Sequence, residues 1–145
     1  IITDHINLFP ENPLRGKNHE ELGPRFPAMT EAYDKKLVAL ADQIGTEKGL
    51  RLMHGVYIGT PGPTFETPAE YEYFRIIGGD AVGMSTVPEV IVANHAGMRV
   101  FGLSVITDLG GKDITEVPSH EEVQKAAIKA QPTVEAIVKE MVARC

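Results

Sequence analysis

The stretch Asp80-Ala-Val-Gly-Met-Ser-Thr-Val-Pro-Glu-Val90 constrains the fold more than any other. Ala81 and Val82 read as a short buried strand, and Gly83 removes a side chain where something approaches the backbone. Thr86-Val87-Pro88-Glu89 then reads as a helix start: a hydroxyl to accept from the first free amides, a proline with no amide to waste, and a glutamate three residues on as a capping box requires. Free amides and the positive end of a helix dipole would lie beside Ser85, a ready place for an anion. For this window alone, a capped strand-to-helix turn is a sufficient explanation.

The same grammar recurs along the chain. Ile1 to Asp4 looks like a strand end, followed by an irregular passage to about Pro27 rich in Asn, Pro, Gly and charge. Loops of that length inside a compact domain tend to be functional or oligomer contacts. A helix is expected from Ala28 to Ile44, ended by Gly45. A strand is expected within Arg51 to Gly59, emptying into the Gly- and Pro-rich Thr60–Glu66. Thr67-Pro-Ala-Glu70 is a second capping box, whose helix should run to about Ile77 before Gly78-Gly79 stops it. After the helix that begins at Thr86, an apolar run from Arg99 to Thr107 reads as a buried strand. A polar loop follows from Asp108 to Pro118, and Ser119-His-Glu-Glu122 opens a C-terminal helix in which Pro132 should force a kink or restart. Strand and helix alternate three times, the pattern of an α/β layer fold with a largely parallel sheet.

Composition narrows the function. The 145 residues are 43% hydrophobic, enough for one domain with a real core. Net charge is −6 with Lys and Arg scattered, which argues against nucleic acid or an anionic membrane surface as partner. No apolar run has the length of a membrane span. The lone Cys145 permits no internal disulfide, and a reducing, cytoplasmic setting fits best. No triphosphate-binding loop or dinucleotide fingerprint is present, and the five histidines lack the paired spacing of a zinc site, so a metal is not expected.

In such folds the ligand crevice lies outside the carboxyl ends of the strands. The segments leaving those ends are Thr60–Glu66, Gly83–Ser85 and Thr107–Asp108, with His120 at the next helix start. They gather a carboxylate beside an aromatic (Phe65, Glu66), a hydroxyl at a helix start (Ser85) and a hydroxyl–carboxylate pair (Thr107, Asp108). An aromatic stacks a flat ring, and a carboxylate accepts its N–H groups. Glu66 as a solvated loop residue and Asp108 as a strand-end cap are the plainer alternatives, and on spacing alone the latter is as good as a functional one.

Gly62-Pro-Thr-Phe-Glu-Thr67, Val82-Gly-Met-Ser-Thr-Val-Pro-Glu-Val90 and Ser119-His-Glu-Glu-Val123 together resemble the trimeric, low-molecular-mass purine nucleoside phosphorylases. So do Thr3-Asp-His-Ile-Asn7, Asn12-Pro-Leu-Arg-Gly16 and Arg25-Phe-Pro-Ala-Met29; the resemblance runs in order through essentially the whole chain. It implies a phosphorylase/hydrolase-like three-layer α/β fold, with a central mixed, largely parallel sheet flanked by helices. It also implies a pentosyltransferase of purine salvage that cleaves purine (deoxy)ribonucleosides with phosphate to free base and pentose 1-phosphate. No cofactor is implied; inorganic phosphate is the co-substrate and the assembly a homotrimer. By similarity Phe65 packs on the purine, Glu66 accepts from its N–H groups, and Val82 and Gly83 line the base pocket. The Met84 backbone and Tyr57 hold the ribose, Ser85 donates to phosphate, His120 binds the 5′-hydroxyl, and Phe26 closes the sugar pocket of a neighbouring subunit. Asp108, after Thr107, stands where the leaving base is stabilised, so Asp108, Glu66 and His120 are the expected catalytic residues.

Two departures qualify the resemblance. An asparagine usually faces the base in enzymes of this family acting on 6-oxopurines, whereas aspartate at position 108 is the pattern of relatives that take 6-aminopurines, notably methylthioadenosine phosphorylases. An ionised Asp108 only accepts, while a protonated one could donate to N7. His120 argues the other way, since it suits a hydroxyl rather than a methylthio group. Purine choice stays open at this point. The second departure is length: residues 1–145 correspond to the C-terminal part of a single domain whose upstream half, with its glycine-rich phosphate loop and phosphate-binding Arg and His, is missing. The alternative from another class is a non-catalytic structural fragment of such an enzyme.

Overall fold

Three short strands, β1 (Ile2–Asn7), β2 (Gly55–Gly59) and β3 (Ala81–Gly83), form one sheet in the order β1-β2-β3, and both pairings are parallel. The structure, a computed structural model, describes residues 1–111, 113–114 and 119–145. Parallel strands need crossovers rather than hairpins, and helices supply them. Helix α1 (Lys35–Glu47) lies between β1 and β2, and α2 (Pro68–Ile76) between β2 and β3. After β3 come α3 (Val87–His95) and α4 (His120–Arg144). The expected α/β architecture is therefore present.

Alternation along β2 divides the sheet into two faces. Tyr57 and Gly59 turn toward α3, where a Cβ on Gly59 would fall 2.7 Å from both the Val87 and the Phe9 side chains. Ile58 turns to the other face and is fully buried against Gly79, where any Cβ would overlap it. On the first face Ile2, Ala32, Tyr33, Tyr57, Val87, Val90 and Ile91 make one core. A second core joins α1 to α4 through Leu37, Ala41, Ile44, Ile137 and Met141, with Leu103 and Phe101 packed on it. Lys48–Glu140 at 3.1 Å and Arg144–Glu47 at 2.8 Å rim the same contact, though exposed pairs of this kind add little.

Several boundaries differ from the sequence expectations. Helix α1 starts at Lys35 rather than Ala28, because the Asp34 carboxylate caps it, accepting from the Lys36 amide at 2.7 Å and the Leu37 amide at 3.1 Å. The Thr67 box forms both arms, and the Ser119 hydroxyl accepts from the Glu122 amide at 3.2 Å. The Thr86 hydroxyl, by contrast, makes no cap hydrogen bond. Thr86 sits at φ +72°, and its hydroxyl lies 3.3 Å from the Ser85 hydroxyl instead. The run from Arg99 to Thr107 forms no ladder among the described residues, only an antiparallel bridge between Gly102 and Ile2. Helix α4 continues through Pro132 without a restart. Pro132 is exposed, so water can reach the carbonyl it leaves unbonded. The polar loop expected between Asp108 and Pro118 lies partly outside the described residues.

The α1–α4 core makes a direct prediction. Ile137→Ala removes a side chain that is 1% exposed and should cost about 2–5 kcal/mol in urea unfolding. Asp34→Ala, which removes only a cap, should cost about 1 kcal/mol. Equal losses would mean that α4 is not anchored through Ile137.

Candidate active site

All three parallel strands run the same way, with Asn7, Gly59 and Gly83 level at their carboxyl ends. A cleft of about 640 Å³ opens at β3, between the loop that leaves β2 and the segment before Asp108. The exit of β2 contributes Phe65 and Glu66, the end of β3 contributes Val82, Gly83 and Met84, and the third segment contributes Thr107 and Asp108. From helices α2 and α4 come Tyr71 and Val123. A second cavity of about 390 Å³ lies between the sheet and α4, lined by Ile1, Leu52, Val134 and Ile137, among others.

Local chemistry explains the placement. Thr60, buried at the end of β2, donates to the Glu66 carboxylate at 3.3 Å and folds the loop back over the strand end. Gly62 at φ +59° lets this loop pass Met84, whose thioether would overlap any Cβ there. Thr107 donates to Asp108 at 2.8 Å. Burial, together with the Glu66 and Asp108 carboxylates, pushes the Tyr71 hydroxyl up to about 12. Glu70, at the capped start of α2, is held below the usual carboxylate range by the Thr67 amide and hydroxyl.

Of the sequence-derived candidates, Phe65, Glu66, Val82, Gly83, Met84, Thr107 and Asp108 share this cleft. Four do not line it. Tyr57 is buried beneath β3, its hydroxyl pressed against Gly83 where a Cβ would overlap it. Ser85 is exposed at the start of α3, beside Thr86. His120 is exposed at the start of α4 and contacts Gln124 at 3.0 Å, although Val123 from the same turn reaches the cleft. Phe26 is 87% exposed on the early loop, with the Arg25 guanidinium 5.7 Å over its ring. Sequence reasoning missed Thr60, Tyr71 and Gly110. Tyr71 lies one helical turn past the Thr67 cap, so its proximity to Glu66 could have been read from spacing. The described residues hold no group of three or more His, Cys, Asp or Glu placed for a metal.

A parallel sheet with helical crossovers, and a cleft beside β3 that gathers Glu66 and Asp108, make this an α/β scaffold. The chain belongs to the Phosphorylase superfamily, which it matches over residues 1–143. It is 49% identical over 144 residues to purine nucleoside phosphorylase 1 of Bacillus subtilis, covering 99% of this chain and 53% of that protein. Against the Rattus norvegicus purine nucleoside phosphorylase it is 49% identical over 147 residues, covering 95% and 50%. The crystal structure of Schistosoma mansoni purine nucleoside phosphorylase in complex with inosine superposes with a TM-score of 0.94 at 37% identity, covering 99% of this chain and 53% of that one. The same enzyme in complex with adenosine gives 0.93 at 38%, covering 97% and 53%. The chain thus spans about half the length of the relatives it matches.

Two predictions come from this geometry. Gly83→Ala should lower the melting temperature through the clash with Tyr57, and Tyr57→Phe should restore part of it by removing the nearest atom; no recovery would refute the contact. Tyr71, neutral in the fold to about pH 12 against about 10 when unfolded, contributes fully below pH 10 and loses that contribution as pH rises toward 12. Tyr71→Phe should therefore lose less stability than wild type between pH 10 and 12, and parallel losses would count against the perturbed phenol.

Proposed function

We propose that the chain is the C-terminal part of a single-domain purine nucleoside phosphorylase, a pentosyltransferase using inorganic phosphate and no cofactor. The observation that carries this reading is the cleft. An aromatic, an accepting carboxylate and a second carboxylate converge in one cleft beside β3, in a chain about half identical to named purine nucleoside phosphorylases.

In this reading Phe65 packs on the purine, Glu66 accepts from its ring N–H and any amino group, and Val82 and Gly83 line the base pocket. The Met84 backbone and Tyr57 hold the sugar, Ser85 binds phosphate, His120 takes the 5′-hydroxyl, and Phe26 serves the neighbouring subunit of a homotrimer. The exposure of Phe26 supports a contact outside its own chain. The free, exposed Cys145 is in keeping with a cytoplasmic setting. No helix of the described residues is long and apolar enough to cross a membrane.

The reaction breaks C1′–N9 and leaves its electron pair on the purine, while a phosphate oxygen forms the new bond to C1′. The sugar passes through an oxocarbenium-like state. Fixing phosphate beside it supplies proximity and counter-charge. Negative charge developing on the purine needs a hydrogen-bond donor at N7, a role that Asp108, beside Thr107, fills in its protonated form. With Thr107 donating to one of its oxygens, Asp108 keeps the other free to accept from a 6-amino group. That pairing favours a second reading, a phosphorylase of 6-aminopurine nucleosides such as methylthioadenosine.

Phosphorolysis of inosine, guanosine, adenosine and methylthioadenosine by the complete protein tests both. Adenosine should be cleaved, and Asp108→Asn should shift kcat/KM toward inosine by about tenfold, the worth of one charged hydrogen bond. Glu66→Ala should lower kcat/KM for every purine by about 10–100-fold. Cleavage of 6-oxopurines alone would remove the aminopurine reading. No phosphate-dependent release of base from the complete protein would leave the structural-fragment alternative. Residues 1–145 alone should release little or none, because Glu66 and Asp108 would lack an aligned nucleophile.

A further inference from the structure

Phe26 stands 87% exposed, yet the chain on either side of it is held by two adjacent residues in the last turn of α3. Before Phe26, the buried His95 donates from Nε2 to the Asn18 side-chain oxygen at 3.2 Å, and the Asn18 amide donates to the Gly23 carbonyl at 3.2 Å. Gly23 lies so close to α3 that any Cβ there would overlap the His95 carbonyl. After Phe26, Asn94 donates from Nδ2 to the Ala32 carbonyl at 2.9 Å, and to the Val90 carbonyl of its own helix at 2.9 Å. Arg25 donates to the Leu14 carbonyl at 2.8 Å while its guanidinium lies 5.7 Å from the Phe26 centroid. An exposed aromatic gains from burial against another surface, and a segment already fixed loses little freedom when that happens. Neither Asn94 nor His95 has a part in the roles assigned above.

We propose that Asn94 and His95 are positioning residues for the sugar pocket that Phe26 closes in the neighbouring subunit: they fix where the Phe26 ring stands on its own subunit. Gly23 is the space this arrangement requires. The inference deepens the phosphorylase reading and rests on it.

The test uses the complete protein in phosphorolysis of inosine and adenosine. His95→Phe keeps a ring and removes its donor, Asn18→Ala removes the same bond from the loop side, and Asn94→Ala releases Ala32. Each should raise the nucleoside KM about tenfold, the worth of one hydrogen bond, while kcat and the phosphate KM stay within about twofold. Phe26→Ala should raise the nucleoside KM at least as much. Adding His95→Phe or Asn94→Ala to it should raise the KM no further, because both act through the ring. An unchanged nucleoside KM in Asn94→Ala, or in both His95→Phe and Asn18→Ala, would overturn the role of the residue concerned. An unchanged KM in Phe26→Ala, or full additivity with it, would overturn the positioning role altogether.

A second measurement does not depend on activity. Urea midpoints of Asn18→Ala, His95→Phe and their double variant should be non-additive, the double losing less than the sum. Additivity would overturn the hold of His95 on the loop. A non-additive cycle in a protein that cleaves neither nucleoside would instead overturn the phosphorylase reading, and the positioning role with it, and leave the hydrogen bond standing.

Discussion

Everything at the candidate site depends on the parallel register of β2 between its two neighbours. Asn7, Gly59 and Gly83 lie level, so the loops leaving the three strands open on the same side. An antiparallel neighbour would have sent its loop to the far end of the sheet. The register in turn depends on close packing at the strand ends: Val87 and Phe9 approach Gly59, and the Tyr57 hydroxyl approaches Gly83. With side chains at those glycines, α3 and the early loop would stand away from the sheet.

Much of this frame was legible because it is local. Thr67 and Glu70 carry their own instruction, and so do Ser119 and Glu122; each pair closes within one turn. Thr86 and Glu89 have the same spacing and do not close. The turn after β3 is too tight, and it takes Thr86 into the left-handed region, away from the amides it would cap. The cost of that conformation is met by the buried Val87 and Val90 just beyond it. Asp34 was hidden for the converse reason: the apolar periodicity reaches upstream of it, and the start is set by its carboxylate cap together with the bond from its amide to the Val100 carbonyl at 2.8 Å. The run from Arg99 to Thr107 has a strand's composition, but a ladder needs a neighbour along its length, and Ile2 supplies one only at Gly102.

The site divided along similar lines. Residues next to a strand's carboxyl end, such as Glu66, Met84 and Asp108, reach the cleft because the register puts them there. Sequence proximity could not say on which side of a turn Ser85 would emerge, nor that His120 would meet Gln124 on its own helix. Tyr71 went unread because helical periodicity presents it as one more α2 side chain. That its ring lies against Gly110, in the loop after Asp108, appears only in the folded chain.

The electrostatics of the cleft impose a division of labour in the proposed reaction. Glu66 and Asp108 line one cavity, and two carboxylates repel an incoming phosphate as surely as they attract the N–H edge of a base. A site accommodating both ligands has to keep them apart. The carboxylates lie in the cleft, and Ser85 lies outside it at the start of α3, where the helix dipole is positive. The sugar bridging base and phosphate would cross the carboxyl end of β3, which is where Gly83 leaves the backbone bare and Tyr57 supports it from below. The stretch that most constrains the fold would thus also separate the two charges that the chemistry must bring to one carbon atom without bringing them to each other.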